Sequence, residues 1–277
     1  MEVRLYGRDY EVAGAVEDRR LECLGLDVEM VISRGGEAAA GKPNEDALLL
    51  IGPEQGEAPL LGLVADAHFG PEAAEIAVAA VAHSYPSGPW SGMAEEAIRE
   101  TLLRLIRVAQ AAIVESGTES ETTLLVGVVA GLTLHWASVG DSFLYCLRPG
   151  RPARVVNPQV RVWLGARLGV PVNEVTRRGH CPLEVGTRVL MTTDGIPEAV
   201  RDVPTLGPKE ITAALDEAAE RPLRALAQAA LARGGEDNLA ALLLTVPPGA
   251  RTLPLEVGRR GPLDWLRLRW HRSPAGS

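Results

Sequence analysis

The sequence is short of several things at once. Aromatic residues make up 4% of its 277 positions, with only two phenylalanines, so a core has to be built from Leu, Val, Ile and Ala. Cysteine occurs three times, at Cys23, Cys146 and Cys181. Three scattered cysteines give neither a disulfide framework nor zinc-ligand spacing, and they fit a reducing, cytoplasmic setting. Acidic residues outnumber basic ones, for a formal net charge of −8, which argues against a general nucleic-acid binder. No internal repeat and no long Ser/Pro-rich linker divides the chain. No signal-peptide pattern opens it, and no apolar run reaches the ~20 residues of a membrane-spanning helix. No Cys or Ser is placed as a covalent nucleophile. What remains is an ordinary globular composition, 46% hydrophobic and 23% charged, in a chain long enough to bury a sizeable core as one domain.

The informative feature is an aspartate at one end of each of four β-prone apolar runs. Leu60-Leu-Gly-Leu-Val-Ala runs into Asp66, followed by Ala67, His68, Phe69, Gly70 and Pro71. Val189-Leu-Met-Thr-Thr runs into Asp194 and Gly195. The other two are inverted: Asn44-Glu45-Asp46 precedes Ala47 to Ile51, and Glu236-Asp237-Asn238 precedes Leu239 to Val246. Taken alone, Asp66 reads as the cap of a helix that Pro71 opens and Glu72 to His83 continues, and His68 as a surface histidine. Taken together, the four runs predict something else. In an antiparallel sheet the end of one strand lies beside the start of its neighbour, so Asp46, Asp66, Asp194 and Asp237 gather at one edge of one core. Carboxylates gathered there repel each other unless a cation sits between them. Oxygen-only ligands favour Mg²⁺ or Mn²⁺ over zinc, and a site this rich in carboxylates suggests two ions sharing an activated water.

In this order the pieces Asn44-Glu45-Asp46, Asp66-Ala-His68-Phe-Gly70, Thr122-Thr123, Val139-Gly-Asp141-Ser142, Asp194-Gly195 and Asp237-Asn238 resemble a bacterial-type type 2C metal-dependent serine/threonine protein phosphatase. Each piece is weak alone; the ordered set, over residues 28–247, is specific. The resemblance implies an α+β fold, a four-layer α/β/β/α sandwich with a central antiparallel β-sandwich flanked by helices. It implies hydrolysis of phosphoserine and phosphothreonine on proteins by direct attack of a water bridging two Mn²⁺ or Mg²⁺ ions. Asp46, Asp66, Asp194, Asp237 and the Ala67 carbonyl would hold the two ions, and Asp141 with Glu198 a third. His68 would protonate the leaving alkoxide, a role suited to a group that titrates near neutrality. Glu45 and Asn238 would support the metal shell from behind.

Four positions depart from the family pattern: Gly41 where an arginine usually grips the substrate phosphate, Ala67 and Phe69 where glycines are usual, and Phe143 where arginine is usual. Lys42 or Arg34 is then the candidate phosphate-binding cation; Lys42 reads equally as a solvated loop lysine. Glu198 reads equally as a solvated residue of a helical Ile196 to Val200. These departures support an alternative, a catalytically weak or inactive regulatory module on the same fold. A metal-dependent nuclease is a third possibility, disfavoured by the acidic balance.

The rest of the chain is read for packing. Ser91 is a candidate N-cap for a helix whose Ile98, Leu102, Leu105, Ile106, Ala109 and Ile113 recur at helical spacing. Thr122 to Ala130 and Leu132 to Ser138 predict a hairpin about Gly131. A basic, loop-rich stretch from Pro149 to Arg188 corresponds to the family's variable flap. Ile211 to Leu215 and Leu223 to Leu231 predict a helix pair. Met1 to Val12 alternates enough for an edge strand, and residues 1–27 are expected as an N-terminal extension packed on the 28–247 domain. Residues 248–277 form a basic, aromatic tail whose 263–272 stretch is either a weak contact for an anionic membrane surface or partner, or a short docked or disordered segment. A monomer acting on phosphorylated proteins is expected.

Overall fold

The structure, a computed structural model, describes residues 1–36, 43–53, 59–86, 93–200, 203–218 and 220–248. The chain enters through β1 (Glu2–Tyr6), β2 (Glu17–Cys23), β3 (Leu26–Ser33), β4 (Asp46–Ile51) and β5 (Leu60–His68), then two helices, α1 (Glu72–Ser84) and α2 (Glu95–Ser116). The short β6 (Glu121–Thr122) leads to β7 (Leu124–Ala130), β8 (Thr133–Val139), β9 (Phe143–Leu147) and β10 (Arg154–Val155). After α3 (Val172–Val175) come β11 (Arg177–Pro182), β12 (Arg188–Thr192), β13 (Glu198–Val200) and β14 (Val203–Pro204). The helices α4 (Pro208–Glu217) and α5 (Pro222–Ala232) precede β15 (Leu239–Thr245).

Two antiparallel sheets result. One runs β1-β4-β5-β7-β8-β11, with β6 paired to β5; the other runs β10-β9-β12-β15-β3-β2. The period-two alternation of a strand explains the layering. Leu48, Leu50, Leu60 and Val64 of the first sheet meet Met30, Ile32, Met191 and Leu242 of the second in a shared inner core. Their neighbours Leu49, Leu61 and Leu63 turn outward against Ala77, Leu102 and Ile106 of α1 and α2. On the far side Val31, Leu190 and Leu243 pack on Leu215 and Leu226 of α4 and α5. Because both faces of the central strands are covered, they read as continuous apolar runs. The layers are α/β/β/α, as expected.

The hairpin turns at Gly131, whose φ of 60° is left-handed, with Ala130 opposite Thr133. The predicted stripe from Ile98 to Ile113 is buried along α2. That helix starts at Glu95 after Ala94, without a side-chain cap, and Ser91 lies outside the described residues. At the start of α5 the buried Glu29 accepts a hydrogen bond from the Leu223 amide (3.1 Å), supplying from β3 the cap that Arg221 does not. The helical reading of Ile196 to Val200 is corrected: Glu198 opens strand β13. The Glu198 amide makes a helix-like bond to the Asp194 carbonyl (2.7 Å) just before the strand begins. Residues 1–27 supply β1 and β2, edge strands of the two sheets. The tail beyond residue 248 lies outside the described residues.

Candidate active site

Asp46 opens β4 and Asp66 lies near the end of β5, and the antiparallel register sets them opposite each other. Asp194 follows β12 by two residues and Asp237 precedes β15 by two, and those strands are also antiparallel neighbours. The first pair belongs to one sheet and the second to the other. A threonine stitches the two together. Thr193 Oγ1 donates to Asp46 Oδ2 (2.9 Å) and accepts from the Ala240 amide (3.0 Å). A second threonine fixes Asp66: the Thr123 hydroxyl accepts from the Asp66 amide (3.0 Å) and exchanges a hydrogen bond with Ser142 (2.8 Å). In both Thr-Thr pairs the first hydroxyl, of Thr122 or Thr192, bonds the carbonyl of the second threonine. The repeated Thr-Thr at the ends of apolar strands is the available signal for these buried supports.

Two glycines allow the Asp237 loop to close on the rest. A Cβ on Gly195 would lie 2.0 Å from the Asn238 carbonyl oxygen, and one on Gly35 would lie 2.3 Å from that of Asp237. Gly195 is thus required by close approach. Asn238 then bridges two loops, accepting from the Glu45 amide (2.9 Å) and donating to the Arg34 carbonyl (2.8 Å).

Electrostatics reports the crowding. Burial pushes the Asp46 and Asp66 carboxyls well above the usual carboxylate range. For Asp46 the Thr193 hydrogen bond opposes this, while Asp237, Asp194 and Glu45 add to it. Asp66 is raised further by Asp194, Asp46, Asp237 and Asp141. Asp194 is pushed up to about 8, by burial and then by Asp237, Asp141 and Glu198. Asp194 is the common partner that links the other five predicted acidic metal ligands. Asp46 Oδ1 is buried without a hydrogen-bond partner, an orphan that a cation would satisfy. Among the described residues no three His, Cys, Asp or Glu side chains form a ready-made metal cage. The residues form a looser acidic cluster, whose all-oxygen donors suit Mg²⁺ or Mn²⁺.

The turn after Asp66 carries the second unexpected feature. Ala67 is ordinary strand, paired with Thr122, so alanine fits there. The left-handed position is Phe69, with φ of 66°, followed by Gly70 at 116°. A non-glycine residue in that region costs about 1–2 kcal/mol. Phe69 is 71% exposed, and the Arg167 guanidinium lies over its ring at 4.6 Å, a contact that offsets part of the strain. Arg167 is itself held by Glu121 (2.7 Å) and the Glu119 carbonyl (3.0 Å). His68 sits 3.8 Å from Asp66 Oδ1 through Nδ1, and Trp163 packs edge-on against it at 5.0 Å. The segment bearing Trp163 is anchored by paired backbone bonds between Leu164 and Thr122 and by the Val160 amide on the Gly140 carbonyl. The basic stretch does flank the site, through Arg167 and Trp163, which the sequence did not single out.

The remaining candidates fall as follows. Glu45 accepts from the Gly70 amide and so ties the start of β4 to the His68 turn. Asp141 precedes β9, and Phe143 stacks on Tyr145 at 5.9 Å. Arg34 is turned toward Glu11, bonding its carbonyl (2.6 Å) and its carboxylate (3.3 Å). Gly41 and Lys42 lie outside the described residues.

The family described as Stage II sporulation protein E (SpoIIE) matches residues 80–247, more than half of the chain. The chain belongs to the SpoIIE family. The match includes Asp141, Asp194, Glu198 and Asp237 and begins after Asp46, Asp66 and His68. No curated protein matches the chain. Among solved structures this SpoIIE-family fold is similar to the S. agalactiae serine/threonine phosphatase, at 19% identity over 84% of this chain and 100% of that one, with a TM-score of 0.66. It is similar to the Mycobacterium tuberculosis serine/threonine phosphatase PstP/Ppp, at 20% identity over 80% and 99% of the two chains and a TM-score of 0.62. A PstP catalytic domain in complex with two manganese ions matches at 21% identity over 84% and 100%, with a TM-score of 0.59. At such identities the likeness is one of fold: the sandwich is the type 2C phosphatase fold.

Proposed function

We propose that this SpoIIE-family protein is a metal-dependent phosphatase acting on phosphoserine and phosphothreonine of proteins. The observation that carries the reading is the convergence of Asp46 and Asp66 from one sheet with Asp194 and Asp237 from the other, beside His68. Asp46, Asp66, Asp194, Asp237 and the Ala67 carbonyl are the residues that would hold two Mn²⁺ or Mg²⁺ ions, with Asp141 and Glu198 for a third. Bound there, such ions supply charge neutralisation at a phosphoryl group and the acidification of water. His68 donates the proton that the departing serine or threonine oxygen needs, and Trp163 and the Asp66 carboxylate orient its ring. Glu45 steadies the turn through the Gly70 amide. Lys42 or Arg34 receives the substrate phosphate. Phosphoproteins are the substrates, residues 28–247 are the catalytic domain, and the protein works as a cytoplasmic monomer. No described helix is long and apolar enough to cross a membrane.

A second reading, a regulatory module that binds without turning over, is favoured by Phe69, an exposed aromatic in a left-handed turn beside His68 where glycine is usual. The two are separated by hydrolysis of an aryl phosphate and of phosphopeptides with Mn²⁺, with and without EDTA, alongside calorimetric titration of Mn²⁺. Mn²⁺-dependent turnover establishes the enzyme. Metal binding with no turnover on any substrate overturns it in favour of the module.

A further inference from the structure

Two of the three cysteines meet where the sheets face each other near one edge. Cys146 on β9 and Cys181 on β11 belong to different sheets, and both are buried in the shared inner core. Their Sγ atoms are 2.9 Å apart, with the Cys181 thiol donating to Cys146. A disulfide needs about 2.05 Å between sulfurs, so the native packing already holds the pair close to bonding distance. Both sulfur-bearing residues line a cavity of about 520 Å³ whose exposed rim carries Arg148, Arg151, Arg154 and His180. The pair is therefore buried yet reachable from a solvent-connected, basic cavity. Its walls hold no aspartate or glutamate, and no described third ligand completes a metal site there.

The surroundings also divide the labour between the two sulfurs. The thiol donated by Cys181, together with Arg148 and Arg154, pulls the Cys146 thiol below its usual value, and the same contact pushes Cys181 up. Thiolates, not thiols, are the nucleophiles. The third cysteine, Cys23, has no such setting: it lies on β2, at the opposite edge of its sheet from β9, and burial raises it.

We propose that Cys146 and Cys181 form an oxidation site that reacts with hydrogen peroxide and closes to a disulfide joining the two sheets. Cys146 thiolate attacks one peroxide oxygen, an S–O bond forms, the O–O bond breaks, and hydroxide leaves to take up a proton as water. The Cys181 sulfur, losing its proton, then attacks Cys146 Sγ; the S–S bond forms, the S–O bond breaks, and a second water leaves. Two thiols are oxidised and one peroxide is reduced to two waters. The bridge would tie together both ends of the segment that carries Trp163 and Arg167, the residues packed on His68 and Phe69. In a reducing compartment such a bond forms transiently and reports oxidant.

The test uses the whole protein and does not depend on any phosphatase activity. Reduced protein is treated with hydrogen peroxide, unfolded, alkylated, digested and mapped by mass spectrometry. The expected result is a Cys146–Cys181 linked peptide, a fall from three free thiols to one, alkylated Cys23, and full reversal by dithiothreitol. Cys181→Ser should leave Cys146 unable to form the link and trapped as sulfenic acid by dimedone. The wild-type map stands even where that variant fails to fold. A link involving Cys23, sulfinic acid at Cys146 with no link, or three unreacted thiols would each overturn the proposal.

Discussion

Asp46 and Asp66 are register partners on adjacent strands, and Asp46 is tied to the opposite sheet through Thr193 while its second carboxylate oxygen is buried without a partner. This arrangement is unfavourable until positive charge enters it.

Stability should respond to pH in opposite senses with and without metal. Carboxyls raised above their unfolded values bind protons more tightly in the folded chain, so folding is favoured as pH falls. In EDTA the melting temperature should rise as pH drops from above the Asp194 value of about 8 toward the ~3.9 of an unfolded aspartate. With saturating Mn²⁺ the slope should invert, because protons compete with the ion. Thermal melts across this range check both signs; a metal-free melting temperature that falls with acidification contradicts the assignment.

Asp237→Asn should abolish Mn²⁺-dependent hydrolysis. The side chain is exposed, so stability should stay within about 0.5 kcal/mol. The loss in turnover should exceed the ~10–100-fold typical of residues that merely support metal ligands. Activity surviving this change would show that the acidic cluster is misassigned.

His68→Asn should discriminate between leaving groups. On a phosphoserine peptide, whose alkoxide needs a proton, kcat should fall by about 10²–10⁴. On an aryl phosphate, whose phenolate leaves unaided, the loss should be much smaller. Equal losses on both substrates would assign His68 to positioning instead.

Gly195→Ala should act on the site through the backbone alone. The added methyl would meet the Asn238 carbonyl oxygen at 2.0 Å, forcing the Asp194 and Asp237 loops apart. Stability should drop by about 1–3 kcal/mol, and calorimetry should show weakened Mn²⁺ binding. Unchanged binding would mean that the two loops need not stay in contact.

The carboxylate cluster could be read from the sequence because strand period and strand ends fix where Asp46, Asp66, Asp194 and Asp237 lie, and antiparallel pairing does the rest. The helical faces of α2, α4 and α5 were equally legible from their spacing. Of the two readings of Glu198 only the helical one fails, because Ile196-Pro-Glu-Ala-Val200 has no period long enough to decide and pairing with β14 makes it strand. Phe69 stands out in the sequence as a departure from glycine, while its left-handed backbone depends on the path from β5 into α1. Cys146 and Cys181 could not be paired from sequence, since they lie on different sheets at a sequence separation of 35.

Because its acidic residues are divided between the sheets, this sandwich resembles a two-jawed clamp with like charges on both lips. Occupancy by a divalent ion would close the clamp, and the gain would grow logarithmically with free ion concentration. The same ion level that arms the chemistry would then also set the protein's resistance to proteolysis, with amide exchange slowing in β4 and β15 together.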